Sequence, residues 1–487
     1  MPLRPSTMPY ASHLRTRRSR IGHPLRRWAL GALLATLAGC STLPLPELHP
    51  PVPTHWRQAP PSATPAAPTD LRGWWRAFHD ASLNALIDRA LADNLDVAQA
   101  MERLEAARAL HRTAGAQFLP QLRAKTEDVP DPDASASFFV AGFDALWELN
   151  LFGRGTAERR MARGDLDSAA SDLRAARVSL VAEVTRDWLD LRAAQQQEQW
   201  LTRIRDMRRQ QYLMLQTRQR LRLAGAQDVD RARAALAQAD AALVEPRDAI
   251  DASAQQLATL LGQAEPDPAW FKAAPMPTLG AWRLHSLPAD LLRSRPEILH
   301  AQAEVLRTAG EAGLARANRY PSLALGGSLI WSTSLQAHRP TDDNAVASIG
   351  PVINIPLFDW GMRAAQAHAK EHELKASVLA YRQTVLQGVA EVETALGRLR
   401  RQAEYERHCT EAAAALGHAD DVMARRAALK LAGPMDQAES AIASDQAALA
   451  QVQARASHGL AFVALFKALG GAPLPAGDPS ERTQERD

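Results

Sequence analysis

The sequence predicts an α+β membrane protein with an internal two-fold repeat, each half pairing two β-strands with a long antiparallel helical hairpin. Landmarks that return in order, runs that alternate apolar with polar residues, and very long helical stretches without proline carry that expectation. Ala114-Gly115-Ala116-Gln117-Phe118-Leu119-Pro120-Gln121-Leu122 returns as Ala315-Arg316-Ala317-Asn318-Arg319-Tyr320-Pro321-Ser322-Leu323. Leu151-Phe152-Gly153-Arg154-Gly155 returns as Leu357-Phe358-Asp359-Trp360-Gly361, Leu223-Ala224-Gly225 as Leu431-Ala432-Gly433, and Leu260-Leu261-Gly262 as Ala468-Leu469-Gly470. The offsets are 201, 206, 208 and 208. Four landmarks in one order and one spacing mark a duplication, and duplicated helix–strand units are mostly architectural rather than catalytic.

Residues 1–39 hold seven arginines and no acid. The apolar run 28–38 is too short to span a bilayer as a helix and has the length of a signal-peptide core. It closes on Leu37-Ala38-Gly39-Cys40, which resembles a bacterial lipobox. In that motif small residues admit the signal peptidase, and the cysteine becomes the lipidated first residue. The plainer reading, a secretory signal with an incidental cysteine, is disfavoured because the chain has only one other, Cys409. By the same resemblance Ser41, where aspartate would retain the protein at the inner membrane, favours the outer membrane. Met8 is an alternative start. The expected segments are a lipoprotein signal over 1–39 and a lipidated, proline-rich extended tether over 40–70. A first repeat over 71–265, a connection at mid-height over 266–288, a second repeat over 289–471 and a flexible tail over 472–487 complete the chain.

Removing the seven arginines of 1–39 takes the formal net charge from +3 to −4, so the basic character belongs to the targeting segment. A nucleic-acid partner needs a basic face on the mature chain, and none is evident. With the Cys40 thiol taken up by lipid, Cys409 has no partner, which leaves no intramolecular disulfide and no cysteine-based metal site.

Helical apolar spacing runs from Leu83 to about Phe118, where Pro120 stops it. Strict alternation follows: Leu122, Ala124 and Thr126 on one face, Gln121, Arg123, Lys125 and Glu127 on the other. After a turn rich in Asp, Pro and Ser, Phe143, Ala145, Trp147, Leu149 and Leu151 oppose Asp144, Glu148 and Asn150. The second half repeats the pattern with Leu323, Leu325, Leu329 and Trp331, then with Ile349, Pro351, Ile353, Ile355 and Leu357 against Ser348, Gly350 and Asn354. Alternation of this kind suits a wall with lipid on one side and water on the other, so Asp144, Glu148, Asn150 and Asn354 are the expected polar lumen residues. Two hairpins of a soluble sandwich are the competing reading; the lipobox and the aromatic strand ends count against it. Four strands cannot close a barrel, and an open edge in hydrocarbon would leave backbone groups unsatisfied. Three chains of four strands each would make a 12-stranded transmembrane barrel, whereas two chains would make an eight-stranded one with a filled interior.

Each second strand leads into a proline-free helical stretch, 155–222 and 361–430, on the order of 100 Å long at about 1.5 Å per residue. Alanine-rich seams suit close packing of such helices around a hollow centre, an α-barrel. Each helix is expected to reverse at Gly225 or Gly433 and to return through a single helix of about 35 residues.

Trp74-Trp75-Arg76-Ala77-Phe78-His79-Asp80 resembles the opening signature of the TolC-type outer-membrane efflux proteins. Phe143-Asp144-Ala145-Leu146-Trp147-Glu148-Leu149-Asn150-Leu151-Phe152-Gly153, Leu287-Pro288-Ala289-Asp290-Leu291-Leu292-Arg293-Ser294-Arg295-Pro296-Glu297-Ile298 and Gly388-Val389-Ala390-Glu391-Val392-Glu393-Thr394-Ala395-Leu396 are similar to later signatures of that family, with Glu297 where aspartate is usual. The resemblance covers about residues 70–471 and is most specific to the lipoprotein branch that serves resistance-nodulation-division pumps. It implies a homotrimeric, lipid-anchored duct through the outer membrane and periplasm. That duct would dock on a periplasmic adaptor (membrane fusion protein) and an inner-membrane resistance-nodulation-division transporter, and would passively export small molecules without any cofactor. It also implies that the turns near Leu223, Gly225, Leu431 and Gly433 dock the adaptor, with a closing aperture just inside them. Asp436 and Glu439, three apart and so on one helix face, would ring that aperture with carboxylates in a trimer. The alternative is a solvated acid pair favoured by the helix dipole. Both turns are several residues shorter between glycine and aspartate than the family pattern.

Enzyme readings find no footing. His368-Ala369-Lys370-Glu371-His372 fits an inverted zinc-peptidase pattern but sits in a charged helix without a recognisable third ligand. No phosphate-binding glycine loop, nucleophile elbow or cysteine–histidine cluster is present in the sequence. A purely structural, periplasm-spanning helical lipoprotein is the second function class, and it would have no use for Asp144 or Glu148 facing a lumen.

Overall fold

The computed structural model describes residues 43–48, 52–58, 70–129, 138–282, 294–334 and 343–474, so Cys40 and the signal segment lie outside the described residues. Two compact units cut across the sequence repeats. One gathers Phe118–Gly155 and Ala317–Phe358; the other gathers Leu45–Gln117, Thr156–Arg316 and the chain from Asp359 onward. Each repeat thus contributes a β-hairpin to the first unit and its helices to the second.

The first unit is one antiparallel sheet of β1 (Gln121–Val129), β2 (Phe138–Glu148), β3 (Ser322–Ser334) and β4 (Asp343–Asn354), in that order. Side chains alternate along a strand, so the register decides whether four alternating sequences agree on a face. They agree. Ala124 pairs with Phe143, Phe143 with Leu329 and Leu329 with Ala347, while the next row runs Arg123, Asp144, Ser328, Ser348. One face therefore carries Leu122, Phe143, Trp147, Leu325, Leu329, Trp331, Ile349 and Ile353, all exposed in the single chain. The other is mixed rather than purely polar: Leu146, Ile330, Val346 and Val352 stand among its charged and hydroxyl groups. β1 and β4 each pair on one side only.

The second unit is helical: α1 (Ala81–Asp93), α2 (Leu95–Arg112), α3 (Arg154–Arg220), α4 (Ala226–Ala241), α5 (Val244–Leu260), α6 (Pro296–Ala317), α7 (Met362–Ala428) and α8 (Pro434–Ala468). α3 and α7 have 67 residues each, as their freedom from proline predicts. Two expectations need correction. The helix predicted over 83–118 is broken at Asn94, whose Oδ1 accepts the amides of Asp96 and Val97 while its Nδ2 donates to the Leu260 carbonyl. A side chain that satisfies the first amides of α2 makes a new start there more favourable than continuity. The first return helix is likewise split, at Ala242 and Leu243. Pro246 has no amide hydrogen, and its ring clashes with the carbonyl four residues back, at Ala242. The second return helix, α8, is the unbroken 35 residues expected.

An aromatic knot centres the helical core. Trp74 stacks on Phe466 with centroids 5.5 Å apart and meets Phe462 at 5.9 Å, while Phe78 meets Phe462 edge-on at 5.6 Å. The Trp74 Nε1–H donates to the Gly471 carbonyl at 3.0 Å. Asp80 caps α1 through Oδ1, and its Oδ2 accepts the Trp188 Nε1–H at 2.8 Å. The tryptophan-rich signature is thus a packing device. Two further signatures meet each other: Arg295 donates to the Gly388 carbonyl at 3.2 Å and to Glu391 at 2.5 Å. The connection after α5 is held to α3 by Arg192, which lies 4.1 Å over Trp188 and donates to the Lys272 carbonyl, and by Gln195, which donates to the Trp270 carbonyl.

The described part of the proline-rich tether is not a free spacer. Trp56 is buried, Leu48 and Val52 pack against the helical core, and Glu393 accepts the amides of Arg57 (2.7 Å) and Gln58 (3.1 Å). Proline excludes regular structure but not docking: extended backbone offers its amides to a carboxylate on another element.

Candidate functional site

The candidate lumen residues sit on the mixed face of the sheet or at its ends. Asp144 pairs across strands with Arg123 and Ser328. Ser328 and Ser348 share a hydroxyl–hydroxyl hydrogen bond of 2.7 Å, and Lys125 pairs with Glu127 at 2.5 Å. Cations therefore stand beside the acids, and the face is not the small and acidic one that Asp144 and Glu148 alone suggest. Glu148, the last residue of β2, holds an ion pair with Arg154 at 2.7 Å. Asn150 lies beyond the strand, contrary to its placement in the alternating run. Its Oδ1 accepts the Gly155 amide at 2.8 Å, satisfying an amide in the first turn of α3 that has no partner within the helix. Asn354 closes β4 opposite Ser322 and is exposed.

The step from strand to long helix is built the same way in both repeats. Phe152 and Gly153 have φ of 56° and 80°, and Trp360 and Gly361 have 54° and 80°. Phe152 stacks on Tyr320 with centroids 4.9 Å apart, and Leu357, Phe358 and Trp360 are strongly exposed. Aromatic rings at a strand end fit the boundary between headgroups and water.

The helical turns correct the expected reversal at glycine. Gly225 and Gly433 both have φ −80° and ψ 159°, extended backbone, and act as the N-caps of α4 and α8. The left-handed residues are Arg222 (φ 57°) and Lys430 (φ 60°). Each lies inside a closing hydrogen bond, Leu223 N–H to the Arg218 carbonyl at 2.7 Å and Leu431 N–H to the Arg426 carbonyl at 2.8 Å. This is the six-to-one bond of a Schellman ending, where glycine is the usual residue. A side chain there costs about 1 kcal/mol. No signal in the sequence marks the left-handed position. The leucine–cation–leucine pattern common to Leu221-Arg222-Leu223 and Leu429-Lys430-Leu431 could have drawn attention to these residues.

Asp436 accepts the Gly433 amide at 3.1 Å, and Asp228 does the same for Gly225 at 3.2 Å. Asp436 therefore caps the start of α8, a role that neither reading of the sequence gave it, and Asp228 has the same role in the other repeat. Both Asp436 and Glu439 remain exposed in the single chain.

Farther along the helices, burial pushes the Asp187 carboxyl up to about 6, against the pull of Arg186, and pushes Asp190 up as well. Burial also raises Asp445 on α8, although Arg203 of α3 lies 3.2 Å away. The hydrogen bond with His458 holds Glu406 below the usual carboxylate range.

Glu371, the acid of the His368–His372 pattern, lies 3.7 Å from His368. Glu371 pairs with Arg316 at 3.4 Å, and among the described residues no group of three or more His, Cys, Asp or Glu could hold a metal ion. Among the described residues no helix is long and apolar enough to cross a membrane.

Comparison with known proteins agrees with this architecture. The family model for outer membrane efflux protein matches residues 86–263 and 287–471. The pyoverdine export outer membrane protein OpmQ of Pseudomonas aeruginosa is 28% identical over 473 residues, covering 89% of this chain and 94% of its own. The solved structure of the outer-membrane channel OprN is 25% identical with a TM-score of 0.73, covering 89% of this chain and 100% of its own. The MtrE outer membrane channel of Neisseria gonorrhoeae shares the fold, with a TM-score of 0.74 at 22% identity over 88% of this chain and 98% of its own. With both repeats matched, the chain belongs to the outer membrane efflux protein family, a non-enzymatic exit duct of the Gram-negative outer membrane.

Proposed function

We propose that this efflux duct works as a lipid-anchored homotrimer, docked through its helical turns on a periplasmic adaptor and fed by an inner-membrane resistance-nodulation-division transporter. The observation that carries the reading is the sheet. It has four strands, two open edges, one strongly apolar exposed face and one face bearing Arg123, Lys125, Asp144 and Glu148. A lone sheet of this kind is stable neither in water, where its apolar face is too large, nor in lipid, where its edges are unsatisfied. Closure by two further copies resolves both problems at once, turning Leu329 and Trp331 to lipid and Asp144 to water. In this arrangement Cys40 carries the lipid, and Asp436 and Glu439 narrow the mouth while Asp436 also caps α8.

Energy and substrate choice come from the transporter, because the wall mixes charges of both signs rather than presenting one. Planar-bilayer recording of the purified protein tests the duct. Resolved single-channel steps are expected, with the open probability raised by Asp436→Ala together with Glu439→Ala. Absence of conductance in both proteins, with the trimer intact, would favour a scaffold.

A further inference from the structure

The mixed face of the sheet is not smooth. Its register stacks two rows side by side: Arg123, Asp144, Ser328 and Ser348 run across β1 to β4, and Gln121, Leu146, Gly326 and Gly350 run next to them. Gly326 and Gly350 face each other across β3 and β4, and their missing side chains open a cavity of about 580 Å³ flanked by Leu146 and Val352. Glycine inside a strand weakens it and calls for a reason, such as a bulge or the close approach of another group. Gly142, on the same face of β2, has one: a Cβ there would sit 2.4 Å from the Leu329 carbonyl oxygen. Gly350 has none within the chain, since a Cβ would meet nothing within 4 Å. At Gly326 the tightest neighbour of a Cβ would be the Val352 Cγ2 at 3.1 Å, and neither residue has a positive φ.

The polar groups around the cavity do not close on one another. Arg123 lies opposite Asp144 but donates along its own strand to the Gln121 Oε1 at 3.1 Å, and Lys125 pairs with Glu127 of the same strand. Among the described residues Asp144 therefore forms no ion pair with either cation. Ser328 and Ser348 use one hydroxyl hydrogen in their 2.7 Å bond, which leaves the second for a ligand. A guanidinium, an open carboxylate, a hydroxyl donor and an apolar floor converge on one cavity, and all come from a single chain.

We infer that this cleft is a ligand subsite on the inner wall of the duct, shaped for a compact zwitterion with a short apolar body; its place on the inner wall rests on the duct reading above. The ligand's carboxylate meets the Arg123 guanidinium and a serine hydroxyl, and its ammonium meets Asp144. Its apolar part covers Gly326 and Gly350 between Leu146 and Val352. An anion or a cation of the same shape would answer one wall charge and leave the other unmet. The cleft does not decide what enters the duct; it holds zwitterions on their way out.

The probes are the zwitterion leucyl-leucine, its N-acetylated form, an anion, and its C-terminal amide, a cation; the apolar body is the same in all three. Saturation-transfer NMR titrations with the full-length protein in detergent should show the zwitterion binding about tenfold more tightly than either relative. Asp144→Asn should cancel its advantage over the anion, and Arg123→Gln its advantage over the amide. Gly350→Val fills the cleft with a side chain that suits a strand, and it should weaken all three alike. Equal binding of the three forms, binding of none, or binding untouched by Gly350→Val would each overturn the subsite. If Gly350→Val fails to assemble, the two charge substitutions decide alone. Single-channel steps, recorded as above, separate this outcome from failure of the duct: steps that persist while the dipeptide fails leave a duct without the subsite.

Discussion

The helical core and the β-sheet of this chain solve opposite problems. Trp74, Phe78, Trp188, Phe462 and Phe466 are fully buried, their ring N–H groups are satisfied, and the surrounding signature residues tie one helix to the next. The sheet has no such interior. Its largest side chains are exposed on one face, and both outer strands lack a neighbour on one side. On the proposed assembly, the contrast separates what one chain completes from what it leaves to its copies: the helical unit holds a finished core, and the sheet is a fragment of a wall.

Substitutions can break this comparison from either side. Trp74→Ala should have the largest effect. It removes a fully buried ring and orphans the Gly471 carbonyl, at a cost of about 3–5 kcal/mol, and thermal unfolding followed by circular dichroism should show it. An unchanged melting temperature would mean that the knot does not hold the helical core.

Leu329→Arg should come next. Leu329 lies near the middle of β3 on the apolar face, where a charge facing hydrocarbon costs about 2–4 kcal/mol. Assembly into membranes should drop sharply while the helices of the detergent-solubilised protein stay folded. The substitution Ser328→Arg, one residue away on the opposite face, should be tolerated, and equal sensitivity at both positions would contradict the two-faced wall.

Asp187→Asn should have the smallest effect, and it probes pH. Burial raises this carboxyl to about 6 from its ordinary 3.8, so between those values the folded state binds more protons than the unfolded one. Stability therefore falls as pH rises through that window and is regained on acidification, on the order of 1–2 kcal/mol. Asp187→Asn should raise stability at pH 7 and flatten the profile between about pH 4 and 6. Chemical denaturation at a series of pH values checks both signs.

The sheet was readable in advance because its signal is local: period-two alternation at Leu122, Phe143, Leu329 and Ile349 assigns faces, and the observed register agrees on all four strands. The lengths of α3 and α7 were readable because nothing in them interrupts a helix. The misplaced features depend on single side chains that act across the fold. Asn94 starts a new helix by capping α2 and bonding to Leu260, a contact 166 residues away along the chain. Pro246 was a visible breaker that the even rhythm of the repeats masked. Trp56 and Glu393 dock the tether through a pairing more than 330 residues apart, which no local pattern reports. At the turns the glycines attracted attention, yet backbone sign resides at Arg222 and Lys430, and composition carries no record of it.

Closure of the sheet by other copies of the chain is tested most directly by the mass of the folded protein released intact from the outer membrane in mild detergent. Three chains, with the backbone amides of β1 and β4 as protected from exchange as those of β2 and β3, are the predicted result. A folded single chain, its outer strands ordered and exchanging freely, would contradict it.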